Sequence, residues 1–209
     1  MSQTFRAACV QMRTSLDPAA NIAAASALIR EAKAKGANFA ATPEMTSLFE
    51  AESDALFAKV REEGDDEALK AFRALAEELS LWLLIGSLPI KVEERRCANR
   101  SFLIDPKGAV RATYDKIHMF DVDLPGGEVY RESRNYRPGE RGVVAATPWG
   151  KLGLSVCYDL RFPYLYRALA KAGASFLSIP AAFTHTTGQA HWHVLQRARA
   201  IETGCFVIA

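Results

Sequence analysis

Short apolar segments rich in β-branched and aromatic residues recur along this chain, each followed by a stretch of helical periodicity. That alternation restricts the fold to layered α/β architectures with mixed sheets. Phe5 to Gln11 reads as a strand, and Pro18 to Lys35 as a helix with Asp17 as its cap, Pro18 in its first turn and Gly36 as its stop. Phe39 to Ala41 opens a second strand that runs into Thr42-Pro43-Glu44. Asp66 to Ser80 places Leu69, Phe72, Leu75 and Leu79 on one helical stripe, and Leu81 to Ile85 is a continuous apolar strand. Later, Leu152 to Cys157, Ser175 to Ile179 and Cys205 to Ile208 read as strands, separated by helices over Pro163 to Ala172 and Gln189 to Thr203, the last closed by Gly204.

The middle of the chain has another style. Arg100 to Ile104 and Val110 to Tyr114 flank Asp105-Pro106-Lys107-Gly108, a turn sequence that predicts an antiparallel hairpin. Tyr114 to Val143 is long, polar and interrupted by Gly and Pro, and loops of that length in compact domains are usually functional. No repeat or low-complexity stretch divides the chain, so residues 1–209 are expected to form one domain. Ala209 closes an apolar strand without a turn, charge or polar tail, whereas natural termini usually lie at the surface. The expectation is a domain truncated at its C-terminus, whose parent continues into further strands.

Charge excludes some partners. Lys plus Arg number 26 against 24 Asp plus Glu, a net charge of +2 that offers no footprint for nucleic acid or an anionic membrane. The start, MSQTFRAACVQM, has no basic segment before a long apolar stretch, and no apolar run approaches the ~18 residues of a membrane span. A cytoplasmic protein without nucleic-acid or membrane partners is expected. Neither G-x-G-x-x-G nor G-x-x-x-x-G-K-[ST] occurs, which removes the simplest nucleotide-binding readings.

Cys9, Cys97, Cys157 and Cys205 stand far apart, with no C-x-x-C and no histidine at ligand spacing, so reduced thiols and no metal or cofactor are expected. His191 and His193 diverge around their predicted helix, and His185 falls in a predicted loop without carboxylate neighbours. Cys157 is distinctive because it stands where an apolar strand meets a helical segment, a turn that exposes a side chain at a sheet edge. Backbone N–H groups there favour a thiolate. Cys9 and Cys205, inside apolar strands, suit the core. Cys97 lies in a charged loop where it is open to solvent.

A thiol nucleophile needs a base or a cation nearby. Glu44, after an apolar strand, and Lys116, just past the hairpin, are candidates, although each taken alone reads as a solvated charge. His118, two residues from Lys116, is either a base for the thiol or a supporting partner of the loop. Gly153-Leu-Ser155-Val-Cys157 departs from the G-x-S-x-G elbow at its last position and leaves Ser155 inside the strand, which argues against a serine nucleophile.

Five stretches occur together: Ala41-Thr-Pro-Glu44-Met45; YDKIHMFDVDLPGG from Tyr114 to Gly127; Arg131-Glu132-Ser133 with Arg137-Pro138-Gly139; GLSVCYDLRFP from Gly153 to Pro163; and Ala182 to Ala209. In these stretches, and in their order, the chain resembles the nitrilase or carbon–nitrogen hydrolase superfamily, above all its Nit subgroup of omega-amidases and deaminated-glutathione amidases. The resemblance implies a four-layer α-β-β-α sandwich and a Glu-Lys-Cys triad on Glu44, Lys116 and Cys157. It also implies a supporting Glu132, an oxyanion contact from the Tyr158 N–H, and dimerisation through the helices at Pro163 to Ala172 and Gln189 to Thr203. The implied reaction is hydrolysis of a small carboxamide through a thioester. Nitrilase and N-carbamoyl amidohydrolase chemistry are alternatives within the superfamily, as is an inactive interaction protein of the same fold. Arg161 is a candidate for holding a substrate carboxylate, against a structural ion pair with Asp159 or another acid. Two departures stand out: Tyr164 where a glutamate is common, and the absence of the family's later strands.

Overall fold

A computed structural model of the chain describes residues 4–124 and 127–209. Pro125 and Gly126, within the 114–127 motif, and residues 1–3 lie outside the described residues. The elements in chain order are β1 (Ala7–Cys9), α1 (Pro18–Ala34), β2 (Phe39–Ala41), α2 (Ser53–Lys59), α3 (Glu67–Glu78), β3 (Trp82–Glu93), β4 (Arg96–Ile104) and β5 (Val110–Asp115). Then come β6 (Asp121–Asp123), β7 (Val129–Arg131), β8 (Val143–Thr147), β9 (Gly150–Leu154), α4 (Pro163–Lys171), β10 (Phe176–Ser178), α5 (His185–Thr203) and β11 (Phe206–Ile208).

Local chemistry sets several of these boundaries. Asp17 Oδ1 accepts from Ala19 N at 3.0 Å and Ala20 N at 3.2 Å, which satisfies donors that α1 would otherwise leave open, and Pro18 carries no N–H to satisfy. Gly36 leaves the helix at φ +87°, a conformation costly for residues with a Cβ.

Strands order as β1-β2-β3-β4-β5 in one sheet and β11-β10-β9-β8 in the other. β1, β2 and β3 run parallel, as do β9, β10 and β11, while β4, β5 and β8 each pair antiparallel with their sequence neighbour. Side chains alternate across a strand. In β3, Leu83 and Ile85 face Ile29, Leu69 and Phe72 of α1 and α3, whereas Leu84 faces the second sheet. Phe39, Leu84, Leu103 and Tyr114 of the first sheet pack with Leu152, Leu154 and Val156 on the side of the second. On the far side of that sheet, Leu165, Tyr166 and Leu169 of α4 pack with Leu177 and with Trp192 and Leu195 of α5. The result is the expected α-β-β-α sandwich.

Some expectations change. β3 continues to Glu93, pairs with a longer β4, and makes Glu94 and Arg95 a hairpin turn. Cys97 therefore lies in β4 and is fully buried, because pleat alternation turns it inward beside charged neighbours that point out. Cys9 is exposed, since β1 is an edge strand. Cys205 is buried as expected. The polar 114–143 segment contains the β6–β7 hairpin, whose brief strands lack an apolar alternation to reveal them. His185 is the first residue of α5, which starts earlier than its apolar pattern because Thr184 caps it.

Candidate active site

Glu44, Lys116 and Cys157 stand beyond the carboxyl ends of β2, β5 and β9. Those ends share one edge of the stacked sheets, where open α/β folds concentrate their chemistry. Sheet pairing makes this possible: β3 parallel to β2 and two antiparallel steps to β5 return Lys116 to the edge of Glu44.

Cys157 does not end a strand. β9 stops at Leu154, and Cys157 begins a 3-10 turn, Cys157–Arg161, with φ +50°. That backbone region is unfavourable for a residue with a Cβ, so surrounding bonds must impose it. Cys157 N donates to Pro180 O at 2.9 Å, and Val156 N donates to Asp159 Oδ2 at 2.9 Å. Met45, directly after Glu44, has φ +54°, and its N–H donates to Ser87 Oγ at 2.9 Å.

The charges form a closed cluster. Lys116 Nζ lies 3.0 Å from Glu44 Oε1 and 2.8 Å from Glu132 Oε2. Asn99 Nδ2 donates to Glu44 Oε1 at 2.9 Å and to Glu132 Oε1 at 3.1 Å, and Ala182 N donates to Glu44 Oε2 at 2.9 Å. Phe120 N holds Glu132 Oε2 at 2.7 Å. The Cys157 thiol lies near enough to Glu44 and Lys116 for both charges to act on its ionisation.

Burial alone would raise the Glu44 pKa, but the Lys116 ammonium, the thiol and the Asn99 amide outweigh it and hold the carboxyl below its ordinary value. Burial likewise works against the Lys116 charge, and the carboxylates of Glu44 and Glu132 overcome it, keeping the amine cationic. Burial, reinforced by the Glu44 charge, pushes the Cys157 thiol well up despite the opposing pull of Lys116. The resting arrangement is therefore neutral thiol, carboxylate and ammonium.

These residues open onto a cavity of about 720 Å3 whose walls include Glu44, Lys116, Glu132, Cys157, Tyr158 and Arg161. Arg161 makes no ion pair with Asp159 or any other acid among the described residues. Its guanidinium sits 5.7 Å from the Tyr158 ring and 5.5 Å from the Phe183 ring, and Nη1 lies 3.1 Å from His191 Nδ1. His118 is outside the cavity walls. Its Nδ1 is 2.6 Å from Asp159 Oδ1, its backbone N donates to the same oxygen at 3.1 Å, and its ring stacks on Phe162 at 3.6 Å. Both His118 bonds thus run to Asp159. Ser155 is fully buried just after β9 and is bonded to Tyr166 and to Ser178 O, away from any nucleophilic role.

Sequence reasoning passed over Asn99 and named Asp159 only as a possible partner of Arg161. Asp159 is wholly buried and also accepts from the Tyr114 hydroxyl at 2.7 Å, so one carboxylate bonds residues on both flanks of Lys116 and the residue before Cys157. A carboxylate two residues after the candidate nucleophile was a visible signal. Asn99 offered none, since an Asn within a strand pattern gives no hint of its partners. Among the described residues no cluster of His, Cys, Asp and Glu is arranged to hold a metal. No described helix is long and apolar enough to cross a membrane.

The stacked sheets and this cysteine-bearing edge are those of the carbon–nitrogen hydrolase family, to which the chain belongs: the family model matches residues 6–209. Among its relatives, the deaminated glutathione amidase of Yersinia enterocolitica is 44% identical over 178 residues, covering 83% of this chain and 62% of that protein. The mouse omega-amidase is 36% identical over 205 residues, covering 98% of this chain and 73% of that one. The crystal structure of the Caenorhabditis elegans NitFhit protein superposes with a TM-score of 0.88 at 36% identity, over 96% of this chain and 49% of that chain. The chain thus spans about three-fifths of the length of the Yersinia relative.

Proposed function

We propose that this chain carries the working groups of a cysteine amidase of the deaminated-glutathione amidase or omega-amidase type. The observation that carries the reading is that one buried carboxylate, Glu44, holds the Lys116 ammonium at 3.0 Å and shares with it and the Cys157 thiol the wall of one open cavity. Glu44 takes the thiol proton as sulfur bonds to the amide carbon. The oxygen gains charge, which Lys116 and the Tyr158 N–H stabilise; removing one such donor typically costs about a hundred- to a thousandfold in rate. The carbon–nitrogen bond then breaks, and the leaving nitrogen departs with the proton from Glu44, leaving a thioester on Cys157. A water that loses its proton to Glu44 attacks the thioester, the acid leaves, and the proton returns to sulfur.

Glu132 orients Lys116. Arg161, in the cavity wall without a carboxylate partner among the described residues, holds an acidic group on the substrate's acyl side. Such an enzyme needs no metal or cofactor, and a cytoplasmic location is part of the reading. Tyr164, Val194 and Ile201 leave apolar surface exposed on α4 and α5, Tyr164 to 79%, which supports a homodimer through those helices.

The purified protein should be assayed against 2-oxo-omega-amides, deaminated glutathione, simple amides, N-carbamoyl compounds and nitriles, with Cys157→Ala as control. Release of ammonia or amine from one of the first two, abolished in the variant, is expected. Dominant nitrile or carbamoyl turnover, or full activity of Cys157→Ala, overturns the reading. Absence of turnover on the whole panel would make the chain an inactive member of the fold.

A further inference from the structure

Two carboxylates, the buried Glu44 and the part-buried Glu132, share two donors. Lys116 Nζ contacts Oε1 of both at 3.0 Å, and Asn99 Nδ2 contacts the same two oxygens at 2.9 and 3.1 Å. The four groups close a ring, with a full cation at one corner and a neutral amide opposite. Asn99 also fixes the lysine through its backbone, because Lys116 N donates to Asn99 O at 3.0 Å. It does so from β4, fully buried and outside the walls of the cavity.

The ring has a consequence at Glu44. A carboxylate oxygen has two lone pairs. Those of Oε1 are taken by Lys116 and Asn99, while Oε2 has one donor, the Ala182 N–H, and keeps a lone pair for a proton. The other end of the amide bears this out as a compromise: Asn99 Oδ1 is buried without a partner among the described residues. An unsatisfied buried carbonyl costs stability and calls for an explanation. Turning the amide over would set that oxygen against two carboxylates, so the donor orientation is obligatory.

We propose that Asn99 is a positioning residue for the amidase chemistry, directing proton transfer from Cys157 to Oε2 of Glu44 by occupying Oε1. The inference rests on the assignment of Glu44 as base. The groups facing that carboxylate are Lys116 from the end of β5, Glu132 from the turn after β7, Cys157 from its own turn, and Tyr136 farther off. Of these only Lys116 is cationic, so losing the amide leaves two acids on one ammonium. Glu44 then holds a proton to higher pH.

Alkylation of Cys157 by iodoacetamide, followed by peptide mass so that the exposed Cys9 is counted apart, reads the base without requiring turnover, which separates this idea from the amidase reading. Its rate should be measured against pH for the wild type, Asn99→Ala and Asn99→Ser, with thermal melting as the check on folding. Both variants are expected to move the acid limb of the profile up by about one pH unit. In turnover, if the wild type has it, kcat should fall about tenfold or more while KM changes less than about threefold. Folded variants with the wild-type acid limb overturn the proposal. So does failure of both to fold, which would make the amide purely structural. A wild type that reacts with iodoacetamide but hydrolyses no amide refutes the amidase reading alone.

Discussion

The Lys116 ammonium and the Glu132 carboxylate meet at two points, with Nζ 2.8 Å from Oε2 and 3.0 Å from Oε1, while Glu44 takes the same ammonium at 3.0 Å from another direction. One buried cation therefore neutralises two acids drawn from different segments. Such a group is expensive to remove, because each carboxylate it leaves behind is desolvated and repels the other.

Replacing Lys116 by Ala should lower stability by about 3–5 kcal/mol, as for breaking a buried ion pair. It should also slow reaction at Cys157 by about a hundred- to a thousandfold in the folded fraction. His118→Ala removes only a contact to Asp159 and a stacked ring, and a loss of about tenfold or less is expected. Urea titration and iodoacetamide inactivation measure both. Reactivity lost in His118→Ala but kept in Lys116→Ala would sink the triad.

Gly86, in β3, admits the Glu44 segment to the edge of the sheet. A Cβ there would stand 2.2 Å from Thr42 O, 2.4 Å from Pro43 O and 2.6 Å from Pro180 Cβ, so the Thr42–Pro43 backbone and the Pro180 ring would have to move. The displaced segments carry Glu44 and accept the Cys157 N–H. Gly86→Ala should cost about 1–3 kcal/mol of stability, as overpacking does, and lose activity beyond that. Circular dichroism melts beside turnover test it; an unchanged melting temperature with full activity would contradict the close packing.

The charge states carry a pH signature. Glu44 is held below its ordinary value of 4.5, so it binds fewer protons folded than unfolded as pH falls. Its contribution to stability is thus present above 4.5 and is lost as pH drops through its depressed folded value. Lys116 and Cys157 are raised above 10.5 and 9.0, so their contributions are present below those values and fade at higher pH. Stability and reactivity should both be level across neutrality, and Glu44→Gln should flatten the acid side. Denaturation at a series of pH values decides this: an acid side equally steep in Glu44→Gln would place the titrating group elsewhere.

Local chemistry made much of the fold legible. Asp17, Pro18 and Gly36 delimit α1 by capping and backbone preference alone, and the stripe of Leu69, Phe72 and Leu75 marks the buried face of α3. Apolar alternation tells that a residue is covered, not by what. Hence Cys9 and Cys97 exchanged their expected surroundings once β1 became an edge and β4 lengthened over the hairpin.

Taken by itself, the sequence determined the layered α/β class, the limits of α1, α3 and α4 to within a residue or two and, through its motif segments, the candidates Glu44, Lys116 and Cys157. Tertiary structure alone decided that residues 72 positions apart share a hydrogen bond, that Asn99 bridges two acids, and that Asp159 ties the cysteine turn to the lysine segment. The reason is physical. Helix caps and strand faces arise from neighbours along the chain, whereas a buried ion cluster exists only after the sheets have paired and brought otherwise solvated charges out of water together.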